Sequence, residues 1–169
     1  MPGQHTEYAF ETAIEHHLTT TGGYVKGDRE TFDPARALFP AEVIAFIQAT
    51  QPKEWEYLSN LQKDKAEDTL LDDLCRALNS DHEGCLSVLR HGFKCFGKLF
   101  RVAYFAPASG MNPDTQKLYA ANRLTVTRQL RYSAKHGNTL DVTLALNGIP
   151  VSTLELKNPM TAQTWRHAI

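Results

Sequence analysis

Cysteine is scarce in this chain, and nothing pairs what there is. Cys75, Cys85 and Cys95 are three thiols in 169 residues, spaced ten apart. An odd count with no C-x-x-C pair argues against a disulfide scaffold or a zinc ribbon and for buried or half-buried free thiols in a reducing compartment. An excess of charge of one sign is missing too. Eighteen Lys and Arg against nineteen Asp and Glu give a formal net charge of −1, so no bulk positive field announces a nucleic-acid partner, and such a partner would need a local basic surface. No apolar run reaches the roughly 18 residues of a membrane span, and the opening MPGQHTEYAF lacks the apolar core of a signal peptide. We therefore expect a cytoplasmic chain with no membrane partner. A G-x-x-x-x-G-K-[ST] loop is also absent, so no ATP is expected to bind.

What is there reads as ordinary globular material: 42% hydrophobic and 22% charged residues. A chain of this length suits one domain, residues 1–169, burying roughly 70% of its unfolded surface. Thr6 can cap a helix from Glu7 to about Thr20 with Phe10, Ile14 and Leu18 on one face. Asp33-Pro34 reads as a cap followed by proline at the first helical position, and Phe39-Pro40 introduces a buried helix, Ala41 to Ala49. Lys53 to Leu61, Asp64 to Asn79 with its Leu70, Leu71, Leu74, Leu78 stripe, a short helix through Leu89, and Asp114 to Asn122 complete the helical readings. From Phe93 onward the pattern turns to strands, near 98–106, 124–132, 139–146 and 150–157. The expected fold is α/β, with helices early and a mixed four-stranded sheet late.

The most informative stretch is Asn138 to Pro159, NTLDVTLALNGIPVSTLELKNP. Alternating Leu140, Val142, Leu144 and Leu146, the Asn147-Gly148 pair, and a second β-branched arm spell a β-hairpin. Glu155 and Lys157 are two apart on one arm and share a face; Asp141 stands on the other arm. With a plain two-residue turn, facing residues have numbers adding to 295, and Glu155 turns away from Asp141. With a bulge or a three-residue loop the sum is 296, and the two carboxylates face each other. We expect a bulged or three-residue connection at Asn147-Gly148-Ile149, with Asn147 or Gly148 at positive φ. Two converging carboxylates repel, and a divalent cation is the usual remedy: Mg²⁺ takes one or two carboxylates and keeps waters, one of which can attack phosphorus. A neighbouring lysine can orient that water or offset charge on a leaving oxygen. So short a pattern also arises by chance on a solvated hairpin.

Two further features bear on the site. Between Lys117 and Lys157 stand six Lys/Arg against two acids, and Arg123, Arg128, Arg131 and Lys135 crowd just before the hairpin, a patch that either holds phosphates or simply solvates an edge strand. On the first helix, Glu11 lies about 60° from the middle of the apolar stripe and Glu15 about 100°, so Glu11 is the one nearer to facing inward.

The run LTVTRQLRYSAKHGNTLDVTLALNGIPVSTLELKNPMTAQT resembles the nuclease region of the R subunit of type I restriction enzymes, a branch of the PD-(D/E)xK nucleases. FDPARALFPAEVIAFIQATQPKEWEYL, VLRHGFK and FRVAYFAPASGMNP resemble further segments of that subunit. The resemblance implies a PD-(D/E)xK restriction-endonuclease-like core, a mixed four-stranded sheet flanked by helices, with an added helical region. It also implies Mg²⁺-dependent cleavage of double-stranded DNA, with Mn²⁺ as a substitute. By motif position, Asp141 and Glu155 bind the metal with the Leu156 carbonyl, Lys157 assists hydrolysis, and Glu11 joins as a helix carboxylate. Leu140 stands where the motif's name has proline. Gln163 falls where a Q-x-x-x-Y helix motif would begin, although His167 occupies the tyrosine position. In the family the motor uses ATP and the complex includes methylation and specificity subunits; this chain, without a motor and ending inside an expected helix from Ala162, reads as a fragment of such a subunit. The rival readings are a catalytically silent DNA-holding or docking module and a free-standing nuclease of the same fold.

Overall fold

The computed structural model describes residues 7–82, 84–133 and 135–157. The expected cap at Thr6, the helix after Thr161 and Gln163 lie outside them. Helices α1 (Glu7–Thr20), α2 (Pro40–Thr50), α3 (Pro52–Gln62), α4 (Ala66–Leu78) and α5 (Gly84–His91) precede most of the strands. None of the described helices is long and apolar enough to cross a membrane. Prolines set two of the helix starts: Pro40 and Pro52 occupy first-turn positions, where a missing N–H costs nothing. Val43, Ile44 and Ile47 of α2 meet Leu58 of α3 and Leu70, Leu71 and Leu74 of α4 in one apolar cluster. Each such side chain contributes about 1.5–3 kcal/mol on burial. A small antiparallel hairpin, β2 (Phe93–Cys95) and β3 (Lys98–Phe100), closes that cluster with the stacked rings of Phe93 and Phe100.

The thiols follow the same packing. Cys95 is buried, Cys75 half-buried and Cys85 exposed, all three free. Burial, then the hydrogen bond and charge of Asp73, pushes the Cys95 thiol up to about 12.

The sheet is four-stranded and mixed, in the order β1 (Val25–Lys26), β4 (Leu124–Arg131), β5 (Thr139–Leu146), β6 (Ile149–Leu154). β1 runs parallel to β4, and the other pairs are antiparallel. One expected strand is thus replaced. Residues 98–106 do not join this sheet: only Lys98–Phe100 is a strand, and it pairs with β2. The reason lies in two side-chain amides that occupy the backbone groups a neighbouring strand would need. Gln51 accepts from Arg101 N–H at 2.7 Å and donates to Arg101 O at 2.8 Å. Asn122 does the same for Tyr104, accepting from its N–H and donating to its carbonyl. The segment is as apolar as a strand should be, yet these backbone groups are satisfied without a ladder.

A second correction concerns Asp33-Pro34, which starts a turn rather than a helix. The Asp33 carboxylate accepts from Ala35 and Arg36 N–H, but Ala37 at φ 54 and the Asp33–Leu38 bridge close the chain back on itself. A third concerns α1, whose apolar stripe is not its buried face. Phe10 is 58% exposed, and among the described residues of α1 only Glu11 is buried. Helix α6 (Pro113–Ala120) forms as expected, capped by Asn112.

The tip of the β5–β6 hairpin is anchored in the helical region. Asn147 (φ 51) and Gly148 (φ 84) make the two-residue turn. Asn147 is buried and its side chain donates to Val102 O at 2.9 Å while accepting from Arg123 N–H at 2.7 Å. Gly148 lies so close to α2 that an added Cβ would sit 2.6 Å from Phe39 O and 2.8 Å from Val43 N. With that end fixed, the arms project toward Asp141 and Glu155.

Candidate active site

The hairpin register decides whether the two carboxylates meet. Near the turn, Leu146 faces Ile149 and Ala145 faces Pro150; beyond a shift between Leu144 and Ala145, Leu144 faces Ser152, Thr143 faces Thr153 and Val142 faces Leu154. Val151 is the extra residue of a β-bulge. The expected bulge exists, but it sits inside β6 rather than in the connection, where Asn147-Gly148 closes a tight turn on its own. Continuing the shifted register by one residue sets Asp141 across from Glu155.

The side chains agree with that register. The Leu156 N–H donates to Asp141 Oδ2 at 2.6 Å, which pins the chain just past β6 onto the carboxylate of β5. Lys157 Nζ lies 3.8 Å from Glu155 Oε2, at the outer limit of an ion pair, with side chains 32% and 41% exposed. Burial first, and then the charge of Asp141, holds the Glu155 carboxyl above the usual glutamate range; Lys157 opposes this, and the charge of Glu7 adds to it. Glu155 therefore sits in a field that remains negative despite its lysine.

That field and the donor set fit a hard divalent cation. Among the described residues Asp141 accepts one hydrogen bond at each oxygen, leaving lone pairs on both, and Glu155 carries charge that wants neutralising. Among the described residues no three His, Cys, Asp or Glu gather closely enough to cage a metal. The pair thus suits an ion held by few protein ligands and several waters, the habit of Mg²⁺. A cleft of about 300 Å³ between α1 and the β1 edge is lined by Glu15, Lys26, Arg128 and Gln129 but not by Asp141, Glu155 or Lys157. Glu155 is exposed and Asp141 half-buried.

Glu11 does face inward, 3% exposed, but its partners are protein groups. Arg128 Nε and Nη2 donate to Glu11 Oε2 at 3.1 and 3.0 Å, and Gln129 Nε2 donates to Glu11 Oε1 at 2.7 Å. The same Gln129 amide reaches Asp141 Oδ1 at 3.3 Å. Neighbours in a regular strand point to opposite faces. Arg128 and Gln129 both reach Glu11 because Gln129, at φ 51, breaks the alternation. Gln129 went unnoticed in the sequence, where it reads as one more polar residue of an alternating strand.

The expected basic patch separates into parts. Arg128 is not available to a phosphate: its side chain is 14% exposed, pairs with Glu11 and Glu15, and lies 4.8 Å over the Tyr8 ring. Burial works against its charge, but Glu11 and Glu15 outweigh burial and hold it above the ordinary arginine range. Arg123 is exposed but belongs to the turn end of the sheet, beside Asn147 and the charge of Glu42. Six residues of β5 separate that end from Asp141, roughly 20 Å. Arg131 pairs with Thr139 at the Asp141 end, and Lys135 follows in the exposed connection. Of the four, those two stand at the Asp141 end of the hairpin.

A sequence model described as the type I restriction enzyme R protein N terminus matches residues 47–169, well over half of the chain. The match takes in β4, β5 and β6 and leaves α1 outside it. No curated protein and no solved structure gave a match.

Proposed function

The chain belongs to the family of type I restriction enzyme R protein N termini, and from that premise we propose that it is the Mg²⁺-dependent endonuclease region of such a subunit, hydrolysing phosphodiester bonds of double-stranded DNA. The observation that carries the reading is the bulge at Val151, which turns Glu155 toward Asp141 and leaves Lys157 on the Glu155 side. A regular hairpin would have no use for that extra residue. On this reading the core is a PD-(D/E)xK fold, and Asp141, Glu155 and the Leu156 carbonyl hold the ion. When bound, the ion supplies charge neutralisation and a water that loses its proton readily.

The chain's own groups do the rest. Lys157 points a cation to the side of Glu155, where it orients the attacking water or offsets charge building on the phosphate oxygens. Asp141 cannot swing freely, because Leu156 N–H holds one oxygen and Gln129 the other. Arg131 and Lys135 bind backbone phosphates at the Asp141 end and fix where the scissile bond lies, without reading sequence. Gln163, at the start of a Q-x-x-x-Y position, belongs to the same proposal by motif position alone. The full subunit would add the ATP-driven motor, and methylation and specificity subunits would choose the DNA, in the cytoplasm.

Incubating the chain with supercoiled plasmid and Mg²⁺ or Mn²⁺ tests this. Nicking that disappears in Asp141→Ala and in Lys157→Ala supports the site; nicking unchanged by both removes it. Mn²⁺ binding without cleavage points to a domain whose cutting waits on the rest of the subunit, or to the silent DNA-holding module.

A further inference from the structure

The Gln129 amide joins two carboxylates that belong to different elements. Its Nε2 donates to Glu11 Oε1 at 2.7 Å and to Asp141 Oδ1 at 3.3 Å, and its Oε1 accepts from the Thr139 hydroxyl at 2.8 Å. These partners fix which way the amide faces. Ionised carboxylates only accept, so the NH₂ group must turn to them, and the carbonyl oxygen is left to a hydroxyl that donates. We infer that Gln129 is a positioning residue of the site, transmitting the fixed place of the Glu11–Arg128 pair to the Asp141 carboxylate. The inference rests on the reading of Asp141 as a metal ligand.

Three features separate this from ordinary strand packing. The first is division of labour at Glu11: Arg128 takes Oε2, so Oε1 is free for Gln129, and α1 becomes a rigid post for the amide. The second is backbone conformation. A non-glycine residue at φ 51 is strained, and here the strain is offset by the three hydrogen bonds of the amide. The third is charge. An arginine or lysine at 129 would neutralise Asp141 and compete with a dication, and an acid would repel it. A neutral donor orients the carboxylate and leaves its charge for the ion. With Leu156 N–H on Oδ2 and Gln129 on Oδ1, Asp141 is gripped from the β6 side and from β4.

The test uses the whole 169-residue chain and Mn²⁺ as the probe, titrated by electron paramagnetic resonance between pH 5.5 and 8, with thermal melts alongside. Gln129→Leu is expected to fold and to bind Mn²⁺ about tenfold more weakly, with the pH at which half the binding is lost displaced upward. Thr139→Val, which frees the amide to turn, shows the same displacement to a smaller extent, and Thr139→Ser, which keeps the hydroxyl, restores wild-type binding. A purely structural role would move the melts and not the pH profile. If Gln129→Leu fails to fold, the two Thr139 variants carry the comparison. Wild-type affinity and pH profile in both Gln129→Leu and Thr139→Val overturn the inference, while loss of binding in Asp141→Asn leaves the metal reading intact. If the wild-type chain binds no Mn²⁺, the metal reading fails and the inference, which rests on it, is overturned with it.

Discussion

Replacing Arg128 by methionine separates two accounts of that residue. By its place in the sequence it is a phosphate contact; in the structure it is the counter-charge of a buried helix carboxylate. Its side chain is 14% exposed and that of Glu11 is 4% exposed, with two hydrogen bonds of 3.0 and 3.1 Å between them. Methionine keeps much of the apolar stem's packing and removes only the guanidinium. Breaking one side of a buried pair costs about 3–5 kcal/mol, because the remaining charge stays desolvated. The lower end applies here, since Glu11 retains the Gln129 hydrogen bond. For a chain of this size about 3 kcal/mol lowers the melting temperature by roughly 6–12 °C.

A second replacement separates charge from packing. Glu11→Gln in the same chain removes the orphaned charge while keeping an acceptor for Gln129, and should bring the deficit down to about 1 kcal/mol. Urea denaturation followed by circular dichroism at pH 7 reads both. The reasoning fails if Arg128→Met unfolds within about 1 kcal/mol of wild type at pH 7 and instead lowers DNA affinity with a shallower salt dependence. That outcome would return Arg128 to the phosphates.

Other outcomes follow from the same geometry. Deleting Val151 removes the bulge residue but keeps the pairs from Leu144–Ser152 onward, and with them Glu155 across from Asp141, on a regular ladder; Mn²⁺ binding and plasmid nicking should persist, and their loss would show that the bulge itself, rather than the register beyond it, shapes the site. Glu155, whose carboxyl is raised by burial and by Asp141, lends stability at low pH that is lost as the pH rises through its raised value. Glu155→Gln should therefore raise the metal-free melting temperature at pH 8 and leave it unchanged at pH 4, and the wild-type chain should lose Mn²⁺ on acidification earlier than an ordinary glutamate would. Replacing Arg131 and Lys135 together by alanine should weaken DNA binding uniformly across sequences and reduce the salt slope by roughly 2. Arg123→Ala, at the turn end, should do neither.

Much of the hairpin was legible because its signals are local: alternation in β5, and an Asn-Gly pair whose positive φ values favour a two-residue turn. The place of the bulge was not, although Pro150 carried a hint. Proline cannot donate to a ladder and is confined to edges and bulges, and it immediately precedes Val151 on what proves to be an edge strand. The segment after Phe100 misled for the opposite reason: its own residues favour an extended chain, but whether an extended chain joins a sheet depends on Gln51, fifty residues earlier, and Asn122, eighteen later than Tyr104. β1, two residues long, is too short to show any period. Arg128 looked like part of a basic patch because charge density in sequence says nothing of which cation is covered.

The fate of Arg128 also explains how a chain of net charge −1 can keep a carboxylate pair under-neutralised without a strongly basic surface. Glu11 and Glu15 on α1 would add to the repulsion already felt at Glu155; one half-buried guanidinium answers both of them. What remains unanswered is concentrated where Asp141 and Glu155 converge, because Lys157 is 3.8 Å from Glu155 and too exposed to offset two charges. Negative potential left over in that way, next to Arg131 and Lys135, makes adjacent attractions of opposite sign: a small cation for the carboxylates and a phosphate chain for the arginine and lysine. On the proposed reading Asp141 and Glu155 would hold a dication and Arg131 and Lys135 a phosphate chain, and that is why the internal pairing of Arg128 favours a metal-assisted site on phosphodiesters even as it removes one expected DNA contact.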